Sequence, residues 1–176
     1  MYLKAPFAAA PASFLFFPFP SNAEVCFVDW KKILLAALSY AVIGQAVYFA
    51  GAIADMPYYT NPAYSAVWSP IMMPGPAPPP AQFYILSIGS SIVMGAIFAY
   101  GYMLVGKAIR GGKSFKAEKP WQTGAKYGLL VFALAGLSNL TLPLLINIPF
   151  SLALSWTVQS AAVCLLAGAV AGRING

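Results

Sequence analysis

The chain has no histidine, two cysteines and only four acidic residues among 176. Without histidine it lacks the commonest metal ligand and the usual group for proton transfer near neutral pH. Cys26 and Cys164 lie in different regions with no CxxC spacing, so neither a redox dithiol nor a zinc site is expected. Each reads as a small buried hydrophobe, and no cofactor is expected. Charged residues make up 8% of the chain, against about 25% in soluble domains. That is too little to cover a water-facing surface. What is abundant is apolar: 60% of the residues are hydrophobic and the mean hydropathy is +0.74. The solvent this composition fits is a bilayer. A net charge of +6 could indicate nucleic acid. The positive charge is sparse and lies beside apolar segments, however, a pattern that marks the cytoplasmic side of a membrane or anionic lipid.

Crossing a hydrocarbon core about 30 Å thick takes about 20 apolar residues in a helix. Four segments meet that need, at about 33–53, 83–105, 127–146 and 151–171, and none contains Asp, Glu, Lys or Arg. The basic residues then sort cleanly. Lys4, Lys31 and Lys32 precede the first span, and Arg173 follows the last. Six of the ten, Lys107, Arg110, Lys113, Lys116, Lys119 and Lys126, fall between spans two and three. The other two connections have none. With both termini cytoplasmic, every cation lies on one side, as the positive-inside rule requires. The expected localisation is a multi-pass cell-membrane protein with both ends in the cytosol. Lys113, Lys116 and Lys119, with Trp121 dipping into the interface, are candidate contacts for lipid headgroups.

Residues 1–30 form an apolar, proline-rich arm ahead of the transmembrane domain at 31–176. A lysine, an apolar run and Ser21-Asn22-Ala23 resemble a signal peptide with its cleavage site. Cleavage would turn every later span over and send the six-cation loop outward, against the charge rule. Pro11, Pro18 and Pro20 make a fifth span a poor expectation. An uncleaved interfacial arm and a misassigned start remain as readings.

The expected fold is all-α: an antiparallel up-down bundle of four transmembrane helices with a short interfacial helix in the first outer loop. Small residues let helices approach in lipid. They recur every fourth position as Ser87, Ser91, Gly95 and Ala99, and again as Ser160, Cys164, Gly168 and Gly172. Gly124 and Gly128 open span three. These ridges are seams either inside the bundle or in a homodimer. Pro143 should loosen the outer turn of span three.

Two groups of residues could carry function. Gln45, Ser90, Ser91, Asn139 and Gln159 fall near one depth, a polar layer that serves as interhelical glue or as a small pocket for a neutral headgroup or solute. The second group lies in the 55–80 loop, which holds eight prolines. Asn61-Pro62 reads as a helix cap and first position, with a two-turn helix to Trp68. Tyr58, Tyr59, Tyr64 and Trp68 form a candidate interaction surface there, either a lid over the bundle mouth or a face for a partner. The four acids, Glu24, Asp29, Asp55 and Glu118, are not deep in any span, and Asp29 with Lys32 reads as a surface ion pair. With no ionisable group inside the spans, a proton relay has no parts, and an enzyme is not expected.

The runs YYTNPAYSAVWSPIMMPGPAPPP and INIPFSLALSWTVQSAAVCLLAGAVAGRI resemble small prokaryotic four-span membrane proteins without an established activity. There too an aromatic, proline-rich loop follows the first helix and small residues run along the last. The resemblance implies the topology and no mechanism. The functional expectation is an integral membrane protein without catalytic machinery, either an accessory or scaffold subunit or a binder of lipid or a small molecule. Its partners would be membrane lipid and a membrane protein or second copy of itself, not nucleic acid. A small oligomeric permease or channel for a neutral solute is the alternative.

Overall fold

Asp29 starts the first helix. Its Oδ1 accepts the backbone N–H groups of Lys31 at 3.1 Å and Lys32 at 3.3 Å. Two of the four donors that every helix leaves open at its N-terminus are thereby satisfied. The acid expected to pair with the Lys32 side chain is thus engaged as a cap.

The computed structural model describes residues 29–69, 71–72, 79–109 and 119–175. The N-terminal arm up to residue 28, with Cys26, and the Lys113 and Lys116 positions lie outside the described residues. Every regular element among the described residues is helical: α1 (Trp30–Tyr59), a 3₁₀ helix (Pro62–Val67), α2 (Ala81–Ile109), α3 (Pro120–Ala135), a second 3₁₀ segment (Gly136–Thr141), α4 (Leu142–Leu145) and α5 (Phe150–Asn175). Four stretches are long and apolar enough to cross a membrane: Trp30–Tyr59, Ala81–Gly106, Pro120–Leu145 and Phe150–Asn175. Three of the expected spans lie within these stretches, and the expected third span overruns its stretch by one residue, Ile146.

The third stretch departs from expectation. It leaves α-geometry at Gly136, seven residues before Pro143, which sits in the first turn of α4. Two hydroxyls draw the chain into the tighter form. Ser138 donates to the Ala135 carbonyl, and Thr141 donates to the Ser138 carbonyl at 2.7 Å, each three residues back. Such local bonds compete with the α-helical ladder. Pro143 removes the N–H that would have reached the Asn139 carbonyl, and that carbonyl accepts from the Leu142 N–H instead.

Along each close pair of helices, residue numbers rise on one as they fall on the other. Ala37 of α1 meets Gly95 of α2, and Gln45 meets Ser87 and Ser91. Gly124 of α3 lies against Gly168 and Gly172 of α5, Gly128 against Cys164, and Asn139 against Ser160. α1 packs on α2 and α5, and α3 packs on α5 and more lightly on α2. All three small-residue ridges are therefore spent inside the chain. A Cβ on Gly124 or Gly128 would land on a carbonyl oxygen of α5, so that seam is a backbone-to-backbone contact. Among the described residues, only Leu152, Val163 and Thr123 are larger side chains buried completely. Close approach rather than bulky interdigitation holds the helices, as is usual where lipid removes the hydrophobic drive between them.

The starts of α1 and α3 and the ends of α2 and α5 gather at one end, where Pro120 meets Gly172 and Ile33 packs with Ala171. Lys31, Lys32, Lys119 and Arg173 all lie there, so this is the basic end. Just inside it four aromatic rings fill the interior. Phe98 stands 5.2 Å from Tyr40 and 4.9 Å from Tyr127, which is 5.4 Å from Tyr102. The Tyr127 hydroxyl donates to the Phe98 carbonyl at 2.9 Å. At the opposite, loop end, Ile148, Leu152 and Ala153 form a second small core, covered by Tyr58, Val67, Trp68 and Trp156.

Candidate ligand-binding site

Between the aromatic plug and the loop end the helices stand apart, leaving a half-open cavity of about 1230 Å³. Ligand pockets usually measure about 300–1,000 Å³, so this space is generous for a bundle of four helices. α1 supplies Gln45 at its floor and Phe49, Ala52 and Met56 above; α2 supplies Phe83, Tyr84 and Ser87. The far wall is Asn139, Trp156, Gln159 and Ser160. Gln45 lies fourteen residues before the end of α1, about 21 Å at 1.5 Å per residue, so the cavity runs deep into the bundle. Among the described residues, no Lys, Arg, Asp or Glu lines it.

The polar residues do not form one continuous layer. They form three separate bridges between elements. Gln45 donates through Nε2 to Ser87 Oγ and Ser91 Oγ, both at 3.0 Å, tying α1 to α2. Asn139 Nδ2 donates to Ser160 Oγ at 3.0 Å, tying the second 3₁₀ segment to α5. Gln159 Nε2 donates to Asp55 Oδ2 and to Ser155 Oγ, again both at 3.0 Å. Ser155 Oγ also donates to Asp55 Oδ2 at 3.1 Å, so α5 is tied to α1. Ser91 reaches the cavity only through Gln45. Ser90 is exposed and bonds its own helix at the Ser87 carbonyl.

Asp55 is the residue that sequence reasoning misplaced. It was expected in the outer loop, but α1 continues to Tyr59 and holds it 3% exposed. Pro57 two residues on looks like a helix stop, yet a proline in the last turn costs only one backbone bond near a frayed end. The signal that could have found Asp55 is spacing. Gly51 and Asp55 are four apart on one face, and a Cβ at Gly51 would collide with the Gln159 amide. Gly51 therefore makes room for the amide that serves Asp55.

No known protein family, curated protein or solved structure matches the chain. The site is accordingly read from its own geometry.

The outer-loop aromatics divide. Asn61 caps the 3₁₀ helix by accepting the Ala63 N–H at 3.0 Å, with Pro62 in its first turn. The expected cap is present, but the helix is 3₁₀. Positions 64 and 68 then fall on different faces, because three residues make a turn. Trp68 turns inward, its ring 5.1 Å from Tyr59 and 6.3 Å from Trp156. Trp156 Nε1 donates to the Tyr59 hydroxyl at 3.2 Å. Tyr59 and Trp68 line the cavity. Tyr58 braces the loop end from outside, donating to Ser151 Oγ at 2.8 Å, and Tyr64 does not line the cavity.

At the basic end, Trp121 and Arg173 lie with Ile43, Leu166, Ala169 and Val170 around a shallow hollow of about 320 Å³. Lys119 is exposed beside it, its backbone N–H donating to Gln122 Oε1 at 3.0 Å.

Proposed function

We propose that this protein is a non-catalytic, multi-pass membrane protein that binds an amphiphilic small molecule or lipid in the cavity at its loop end. The observation that carries the reading is the cavity's make-up: a large apolar space reaching a glutamine floor, under a roof of Tyr59, Trp68 and Trp156. Pockets of this kind, mostly apolar with a few fixed polar groups, are the usual form of ligand sites. Phe49, Ile53 and Met56 at its margin are exposed, which suits a ligand arriving from lipid.

The chain is an antiparallel up-down bundle in a prokaryotic cytoplasmic membrane, with the basic end and both termini in the cytosol. The charge distribution and the opposed residue numbering along each helix pair support this. The 62–67 helix rests at the outer interface as part of the lid. Trp121, Lys119 and Arg173, with Lys113 and Lys116, meet lipid headgroups on the inner side, and the hollow beside Trp121 accommodates part of an acyl chain. A role as accessory subunit is compatible with this, the bound ligand being what the partner senses or receives. Passage of a neutral solute is less well supported, because Tyr40, Phe98, Tyr102 and Tyr127 fill the interior below Gln45.

Gentle extraction of the whole chain followed by native mass spectrometry tests the reading. The wild-type protein should retain an amphiphile, and Ala52→Phe, which fills the cavity from α1, should retain none while keeping its thermal transition. If the wild-type protein carries nothing, or Ala52→Phe carries as much, the reading fails. Sidedness has its own test in a chain with Cys26 and Cys164 replaced by alanine. A cysteine at Ser65 should react with an impermeant maleimide on intact cells, and one at Ser114 only after lysis. The reverse pattern overturns the orientation.

A further inference from the structure

The geometry points to a ligand whose polar group donates hydrogen bonds and carries no negative charge, a hydroxyl or ammonium rather than a carboxylate or phosphate. This rests on the binding reading above and states what the cavity selects. The two glutamines deep in the site have already spent their donors. Gln159 Nε2 uses both protons, on Asp55 and Ser155. A carboxylate partner fixes the amide's orientation, since only the nitrogen side can donate to it. Gln45 Nε2 likewise uses both protons, on Ser87 and Ser91. Its orientation is fixed as well, because the Ser91 hydroxyl proton is committed to the Ser87 carbonyl at 2.8 Å, leaving Ser91 Oγ to accept.

What each glutamine still offers is its carbonyl oxygen Oε1. Neither oxygen accepts a hydrogen bond among the described residues, and neither is sealed away as a buried orphan. The hydroxyls of Tyr48, Tyr59, Ser87 and Ser160 can donate or accept, and Asn139 keeps both its carbonyl oxygen and the Nδ2 proton not used on Ser160, so these groups discriminate little. Trp68 Nε1 is a donor without a partner, but it is buried and closed to a ligand. Asn61, whose oxygen serves the Ala63 N–H, offers its donors only at the exposed mouth. With no Lys or Arg in the lining and the Asp55 carboxyl one side chain behind Gln159, an anion would meet the two glutamine lone pairs, with the second Nδ2 proton of Asn139 as the one side-chain amide donor left at depth. A donor would complete the bonds the glutamines lack, and a ligand that covers these oxygens without donating to them loses their contact with solvent and gives nothing back.

Four probes sharing one chain isolate the headgroup: oleyl alcohol, oleylamine, oleyl methyl ether and oleate. They would be titrated at equal mole fraction into the full-length chain in nanodiscs. Binding is read from tryptophan fluorescence in a Trp30→Phe, Trp121→Phe background, which leaves only the lining residues Trp68 and Trp156. The alcohol and the amine should bind at least about tenfold more tightly than the ether and oleate, the worth of about one hydrogen bond. Gln45→Leu should bring the alcohol down to the level of the ether. If the ether or oleate binds as well as the alcohol, the donor inference is overturned while the binding reading stands. If none of the four binds, the binding reading itself fails and takes the inference with it. The probe series on otherwise unaltered lining residues decides this even if Gln45→Leu does not fold.

Discussion

A Gly128→Val chain should lose its cooperative thermal transition and its monodisperse elution in mild detergent. The added side chain would begin on the Cys164 carbonyl oxygen, with the Cys164 carbonyl carbon and Leu165 Cα close behind. These are backbone atoms, so no rotamer change relieves the overlap and α3 must move away from α5. Overpacking a well-fitted interior costs about 1–3 kcal/mol where side chains can give way. Here the obstacle is backbone, and about 3 kcal/mol or more is expected. The loss would spread, because the same seam runs through Gly124, Gly168 and Gly172. Gly89→Ala is the matched control. Nothing lies within 4 Å of a Cβ there, so it should be neutral or raise stability by up to about 1 kcal/mol through helix propensity. Differential scanning fluorimetry on the pair checks both. An unshifted transition in Gly128→Val would refute the close α3–α5 contact.

Gln159→Leu should destabilise the chain by about 2–4 kcal/mol and should be partly rescued by a second substitution. Leucine matches the volume of the glutamine, so little of the loss comes from packing. What is lost is one of the two donors that hold the buried Asp55 carboxyl, leaving Ser155 alone with it. Removing one partner from a buried polar pair costs more than removing both, because the remaining group keeps its desolvation cost without its bond. Asp55→Ala combined with Gln159→Leu should therefore melt at a higher temperature than Gln159→Leu alone. Such non-additivity is the mark of two groups in direct contact. Simple addition of the two losses would show that the amide and the carboxyl do not interact.

The sequence carried the number of long apolar helices and the gathering of cations between the second and third of them, for reasons local to the chain. Length and apolarity of a segment are readable without partners, and so are the Asn61-Pro62 cap and the four-residue spacing of small residues. Gln45, Asn139 and Gln159 stood out because an amide in an apolar helix must find a partner. Which partner it finds depends on helix rotation and register, and those are set by the neighbouring helix. That is why Ser87 and Ser160 were legible only as small ridge residues, why Ser90 appeared among the polar set although it faces outward, and why Asp55 looked like a loop acid.

By itself, then, the sequence determined four helices long and apolar enough to cross a membrane, with the cations kept out of their apolar stretches, because hydropathy and charge act residue by residue. The tertiary structure alone decided that the glycines of α3 and α5 would touch and that α1 would carry Asp55 against Gln159. It alone left a deep cavity between the aromatic plug and Trp68. Those outcomes depend on how closely two backbones can approach, a property of pairs of surfaces that no single segment contains.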